Sequence, residues 1–212
     1  MQHTKISQIT PNTEIKLLVF DMGGVFVRYE WRTICNGFAQ ATKVSPESFI
    51  ETFERVNNSH YERGKVSTAE LVSRLNEALG SNLTEEEFHI LWNTSLDEDV
   101  QMTKMFQGLR EQFPLYLLSN INDSNFTFLE TNFNVSRHFN ELILSHEVGY
   151  IKPEPEIYHE VLKRSGMEPH HCLFVDDLKP NVEGARAVGL NAFQFTGFED
   201  LRAKFDDFGI KV

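Results

Sequence analysis

Residues Ile15–Phe20 (IKLLVF) are nearly all apolar and rich in branched side chains, and the run stops abruptly at Asp21 and the Gly23–Gly24 pair. A short continuous apolar run predicts a strand buried on both faces, as in a parallel sheet covered by helices. Similar runs recur at Leu115–Leu118 (LYLL), Leu142–Leu144 (LIL), Cys172–Val175 (CLFV) and Asn191–Phe195 (NAFQF). The segments between the later runs have helical grammar. Pro155–Ser165 begins with proline at a first helical position and stops at Gly166, and Pro180–Val188 ends in the same way at Gly189. Alternating strands and helices predict right-handed crossovers in a doubly wound α/β sheet.

One interval breaks the alternation. About ninety residues separate Asp21 from Leu115, with helical signals and no convincing buried strand. Ser67 with Glu70, and Thr84 with Glu87, have capping-box spacing. Leu71, Leu75 and Leu79 fall on one helical face. Residues 30–97 therefore read as a small all-helical module inserted after the first strand. Residues 15–29 and 98–212 read as the α/β core, with a helix near Val100–Gln112 leading back to the sheet. Residues 1–14 read as an N-terminal extension.

Charge narrows the classes of partner. The chain has 31 acidic and 20 basic residues, a net charge of −11. Such a surface disfavours nucleic acid and anionic membranes, yet a small anion still has access to a locally basic site. No run approaches the about 20 apolar residues that span a bilayer, and residues 1–14 hold no signal-peptide core. Cys35 and Cys172 form no CxxC pair, which argues against a zinc cluster or redox dithiol and for a reduced, cytoplasmic setting.

The polar residues that follow the apolar runs are chemically coherent: Asp21; Ser119 and Asn120; Lys152; Asp176 and Asp177. In an open parallel sheet, ligands gather beyond the carboxyl ends of the strands, so these residues should converge. Asp21 and Asp176 offer hard oxygen donors suited to Mg²⁺. Ser119, with neighbouring backbone N–H groups, suits phosphate oxygens, and Lys152 adds positive charge. A carboxylate nucleophile, a cation, a hydroxyl and an ammonium make up a phosphoryl-transfer site. Adjacent carboxylates at Asp176–Asp177 repel unless a cation or lysine is near. Asn181 reads equally as a site residue or as a helix cap. Arg28, Tyr29, Trp31, Tyr61 and Arg63 suit either a sugar ring or ordinary packing of the inserted module.

VFDMGGVFV, LLSN, GYIKPEPEIY and FVDDLKPNVEGARAVG resemble, in order and spacing, the four motifs of the haloacid-dehalogenase-like (HAD) hydrolase superfamily. The likeness is greatest to its small sugar-phosphate phosphatases of the α-D-glucose-1-phosphate phosphatase type. The resemblance implies a Rossmann-like core with a helical cap, and Mg²⁺-dependent hydrolysis of a small phosphate monoester, a sugar phosphate. It implies Asp21 as the nucleophile that becomes phosphorylated, and Ser119, Asn120 and Lys152 as phosphate ligands. It further implies Asp21, the Gly23 carbonyl and Asp176 as metal ligands, with Asp177 behind them. One position departs from the pattern. Gly23 stands where the superfamily usually carries an acid/base Asp, a group that contributes about 10²–10⁴ in rate. A catalytically silent phospho-ligand binder and a metal-independent 2-haloacid dehalogenase thus stay open as alternatives; a phosphosugar mutase, which needs the missing acid, ranks below them.

Overall fold

The computed structural model describes residues 14–212. The N-terminal extension expected over residues 1–14 lies, but for Glu14, outside the described residues. Five parallel strands form the sheet: β1 (Leu17–Phe20), β4 (Leu115–Ser119), β5 (Glu141–Leu144), β6 (Cys172–Asp176) and β7 (Asn191–Gln194). Their order is β5-β4-β1-β6-β7. β1 lies at the centre, with Val19 opposite Tyr116 of β4 and Phe174 of β6. All four of its side chains are buried, because helices cover both faces of the sheet. Leu18 and Phe20 face a core built with α5 (Val100–Leu109) and α10 (Phe198–Asp207). Leu17 and Val19 face the opposite core, built with α8 (Pro155–Ser165) and α9 (Lys179–Ala187). α6 (Asp123–Phe133) and the short α7 (Ser145–Val148) follow β4 and β5.

Four helices fill the interval between β1 and β4: α1 (Trp31–Thr42), α2 (Pro46–Asn57), α3 (Thr68–Leu79) and α4 (Glu85–Trp92). They enclose a core of their own, in which Phe38 stacks on Phe49 at 4.7 Å and packs against Phe88 and Trp92. Leu71 and Leu75 are fully buried there and Leu79 partly so. Thr84 and Glu87 form a complete capping box. Ser67 caps the Glu70 N–H, but the Glu70 carboxylate turns instead to Arg74 one turn on, so that box is half-made. A feature the sequence pattern did not reveal is a two-residue antiparallel ladder, β2 (Val27–Arg28) with β3 (Asp97–Glu98), where the chain leaves and rejoins the core. It is short, charged and half-exposed, so it carries no apolar signal. Among the described residues no helix is long and apolar enough to cross a membrane.

Phe106 of α5 ties this helix to the strand that leads into Asp21. Its ring meets Phe20 at 4.8 Å, Phe139 at 5.1 Å and Phe26 at 5.2 Å, and it is wholly buried. Phe106→Ala should therefore lower the free energy of unfolding by about 3–5 kcal/mol, read from urea denaturation. A loss below about 1 kcal/mol would show that the surrounding rings collapse into the space.

Candidate active site

β1, β4 and β6 end side by side, and the chain reverses its direction of sheet growth beside β1, so a crevice opens beyond their carboxyl ends. The residues that leave those strands meet in it. Lys152, carried by the extended segment before α8, reaches down among them and is only 3% exposed. Its Nζ lies 2.6 Å from Asp21 Oδ1, 2.7 Å from Asp176 Oδ2 and 3.0 Å from the Leu118 carbonyl. All three ammonium hydrogens are thereby used, one on each of the three central strands. Asn120 fixes the lysine backbone from both sides: its amide donates to the Lys152 carbonyl at 3.0 Å and accepts from the Lys152 N–H at 2.7 Å. Its side chain is therefore committed to positioning Lys152.

Asp176 is wholly buried and fully hydrogen-bonded. Oδ1 accepts from Leu178 N–H at 2.8 Å, and Asn181 donates to both carboxylate oxygens at 3.0 Å. Asn181, which the sequence left open, is thus a partner of Asp176 and not a helix cap. It lies one helical turn beyond the strand end, a spacing that permits this contact but does not demand it. Asp21 Oδ1 takes the Met22 N–H at 2.6 Å as well as the lysine, so Oδ2 is the oxygen of that carboxylate with no partner among the described residues. Ser119 is buried beside them and borders the cavity.

Electrostatics show what the arrangement lacks. Asp21, Asp176 and Asp177 each bring an oxygen to within 4.8 Å of the others. Three carboxylates thus share one ammonium. Burial pushes the Asp21 carboxyl up to about 7, with Asp176 adding to the rise and Lys152 opposing it. Asp177 is raised as well, by burial and then by the Asp176 charge. Burial alone would lower the Lys152 ammonium, but the Asp21 and Asp176 charges outweigh it and hold it above the ordinary lysine range. A cluster of hard oxygen donors with surplus negative charge fits a divalent cation of the Mg²⁺ type. Asp177 is half-buried and stands in this cluster alongside Asp176.

The two glycines after Asp21 have different reasons for being glycine. Gly24 has φ +75°, and a Cβ there would sit 2.3 Å from Asp177 Oδ2. Gly23 has an ordinary backbone, and a Cβ would meet only the ring of Tyr29, at 3.3 Å. A cavity of about 470 Å³ rises from these residues toward α1, α2 and α4. Of the residues singled out as suited to a sugar ring, Tyr29 and Trp31 line it. Arg28 instead pairs with Asp97 on the surface at 2.8 Å. Tyr61 is buried and bonds Thr68 at 2.8 Å. Arg63 makes a bidentate pair with Glu154, at 2.8 and 2.5 Å, that ties the helical segment to the loop carrying Lys152. Phe53, Glu62 and Trp92 also line the cavity; sequence reasoning missed them because their apolar or charged neighbours gave no sign of which face turns inward.

The sequence model of the haloacid dehalogenase-like hydrolases matches residues 15–189. A D-ribitol-5-phosphate phosphatase of Bacteroides thetaiotaomicron is 29% identical over 196 residues, which cover 89% of this chain and 95% of that protein. A sesquiterpene phosphatase of Aspergillus oryzae is 28% identical over 186 residues, 87% of this chain and 91% of that protein. A crystal structure of a HAD family enzyme from Bacteroides thetaiotaomicron superposes with TM-score 0.83 at 27% identity, covering 91% of this chain and 98% of that one. A second crystal structure of that enzyme, in complex with magnesium and inorganic phosphate, gives TM-score 0.76 at 26% identity, over 90% of this chain and 99% of that one.

The close approach of Gly24 to Asp177 gives a test by double-mutant cycle. Gly24→Ala should cost about 1–3 kcal/mol through the left-handed backbone and the clash together. In an Asp177→Gly background the same change should cost measurably less, since only the backbone strain remains. Equal costs in both backgrounds, by chemical denaturation, would mean that the Asp177 side chain moves aside freely.

Proposed function

Because the chain belongs to the haloacid dehalogenase-like hydrolase family, we propose that it is a Mg²⁺-dependent phosphatase that hydrolyses a small phosphate monoester through an aspartyl-phosphate. The observation that carries this reading is the convergence of three carboxylates and one buried ammonium at the floor of a cavity beside Ser119. The magnesium and phosphate bound by the similar crystal structure support it. In this reading Asp21 Oδ2 attacks phosphorus: an O–P bond forms as the bond to the leaving oxygen breaks. Lys152 and the Met22 N–H hold Oδ1, and so orient the carboxylate and favour its ionised form against the effect of burial. Ser119 and the backbone beside Asn120 receive phosphate oxygens. Asn120 holds Lys152 in register, and Asn181 fixes Asp176. Water then cleaves the acyl phosphate, releasing inorganic phosphate and restoring Asp21.

Asp21, Asp176 and Asp177, with the Gly23 carbonyl, would hold the metal. When bound, Mg²⁺ offsets repulsion between the incoming phosphate and these carboxylates. Residues 30–97 would serve as the cap over the phosphate site, with Arg63–Glu154 as their tie to the core. A sugar phosphate as substrate is supported by the ribitol-phosphate relative; the sesquiterpene relative widens the range of organic groups to be tested.

Two measurements test the reading. Asp21→Asn is nearly isosteric and should leave the fold intact while turnover falls below about a tenth of wild type. A folded variant above that level would remove Asp21 as nucleophile. Full activity after exhaustive chelation would remove the metal and revive the dehalogenase alternative. Gly23 sets the third expectation. With no carboxylate to protonate it, the departing oxygen carries more charge in the transition state, so aryl phosphates and sugar 1-phosphates should turn over faster than esters of ordinary alcohols. A Cβ at Gly23 would need only a slight shift of Tyr29, and Gly23→Asp should narrow that gap. Equal rates across leaving groups in the wild type would mean that another side chain supplies the proton.

A further inference from the structure

The wall of the cavity opposite the carboxylates differs from its floor. It is made by Trp31 and Ile34 of α1, Phe53 of α2, Trp92 of α4 and Leu96. Trp31 and Trp92 meet edge to face at 5.8 Å, and Trp31 lies 6.0 Å from Phe53, so the rings form one continuous surface. The polar groups at the margin of this wall are largely engaged with each other. The Trp92 indole N–H donates to Asn125 at 2.7 Å, and Asn122 donates to the same Asn125 oxygen at 2.7 Å. Asn125 in turn donates to Asn93 at 2.9 Å. Glu62 holds the Asn57 amide with both oxygens, at 3.0 and 2.9 Å, and its charge repels a phosphate. A polyol placed here would bring a row of hydroxyls to a surface with few free partners, and burying hydroxyls unpaired is costly. An apolar or aromatic group would gain by leaving water and stacking on the rings.

We infer that the substrate is a phosphate monoester of an alcohol bearing an extended apolar or aromatic group, which the Trp31–Phe53–Trp92 wall recognises while its phosphate sits on the Asp21–Lys152 floor. This rests on the phosphatase reading above and narrows it: a sugar phosphate would be taken when it carries such a group. The cavity of about 470 Å³ has room for a body of that kind.

The test compares two esters of primary alcohols, 3-cyclohexylpropyl phosphate and ribitol 5-phosphate. The neighbouring hydroxyls make ribitol the more acidic leaving alcohol, so leaving-group chemistry works against the expected order. We expect kcat/KM at least about 10-fold higher for the cyclohexyl ester. Trp31→Ala and, as a second variant, Leu96→Asn should raise KM for that ester by a larger factor than for ribitol 5-phosphate, so that the ratio between the two narrows. Equal or faster cleavage of ribitol 5-phosphate by the wild type would overturn the inference while leaving the phosphatase reading intact. Should neither ester turn over, an aryl phosphate with its better leaving group decides the phosphatase reading, which fails if that too is left intact, and binding still decides the inference. The chain has two tryptophans, and both line the cavity, so intrinsic fluorescence reports occupancy directly. A saturable change with the cyclohexyl ester at concentrations where ribitol 5-phosphate gives none upholds the apolar wall; the reverse order sinks it.

Discussion

The ammonium of Lys152 is the interaction on which the rest of the site depends. It is buried where a charge is expensive, and it is tolerated because two carboxylates and a carbonyl satisfy it completely. Those three acceptors belong to the ends of β1, β6 and β4, so one side chain fixes the mutual position of three strands. Everything else near the crevice serves that geometry. Asn120 holds the lysine backbone, Asn181 and Leu178 hold Asp176, and Arg63 holds the loop through Glu154. Because the lysine neutralises only one of the three neighbouring carboxylates, the same arrangement that makes the strands rigid also leaves a charge imbalance for a cation to fill.

The core of the fold was legible because parallel strands buried on both faces leave an unmistakable pattern. The runs at Leu17, Leu115 and Cys172 are apolar on nearly every position whichever face a residue takes, so no periodicity had to be resolved. The polar residues just beyond them were legible for a related reason: they interrupt an apolar run at the point where a strand must end. Asp21, Ser119 and Asp176 were read in this way, Lys152 from its register with them, and the four do converge.

What stayed hidden depends on side-chain direction. Asn120 reads as a phosphate ligand in sequence, but its amide turns sideways to the Lys152 backbone. Asn181 could have capped α9 or approached Asp176, and one helical turn of spacing allows both. Tyr61 and Arg63 read as candidates for the cavity, yet one is locked to Thr68 in the helical core and the other to Glu154. Phe53 and Trp92 carried no sequence signal of a place at the cavity, and both are buried rings that border it. A helix built to pack and a helix built to pack and recognise have the same heptad-scale pattern, so composition cannot separate them.

The short ladder of Val27–Arg28 with Asp97–Glu98 has a consequence for how such a chain can change over evolutionary time. It brings the two ends of the helical excursion into register, one strand spacing apart, before either reaches the sheet. The excursion is therefore closed at its base. Helices between the two ends can lengthen, shorten or be exchanged without altering the distance that β1 and α5 must span. The helical segment can thus change while the strand ends that carry Asp21, Ser119 and Asp176 stay fixed.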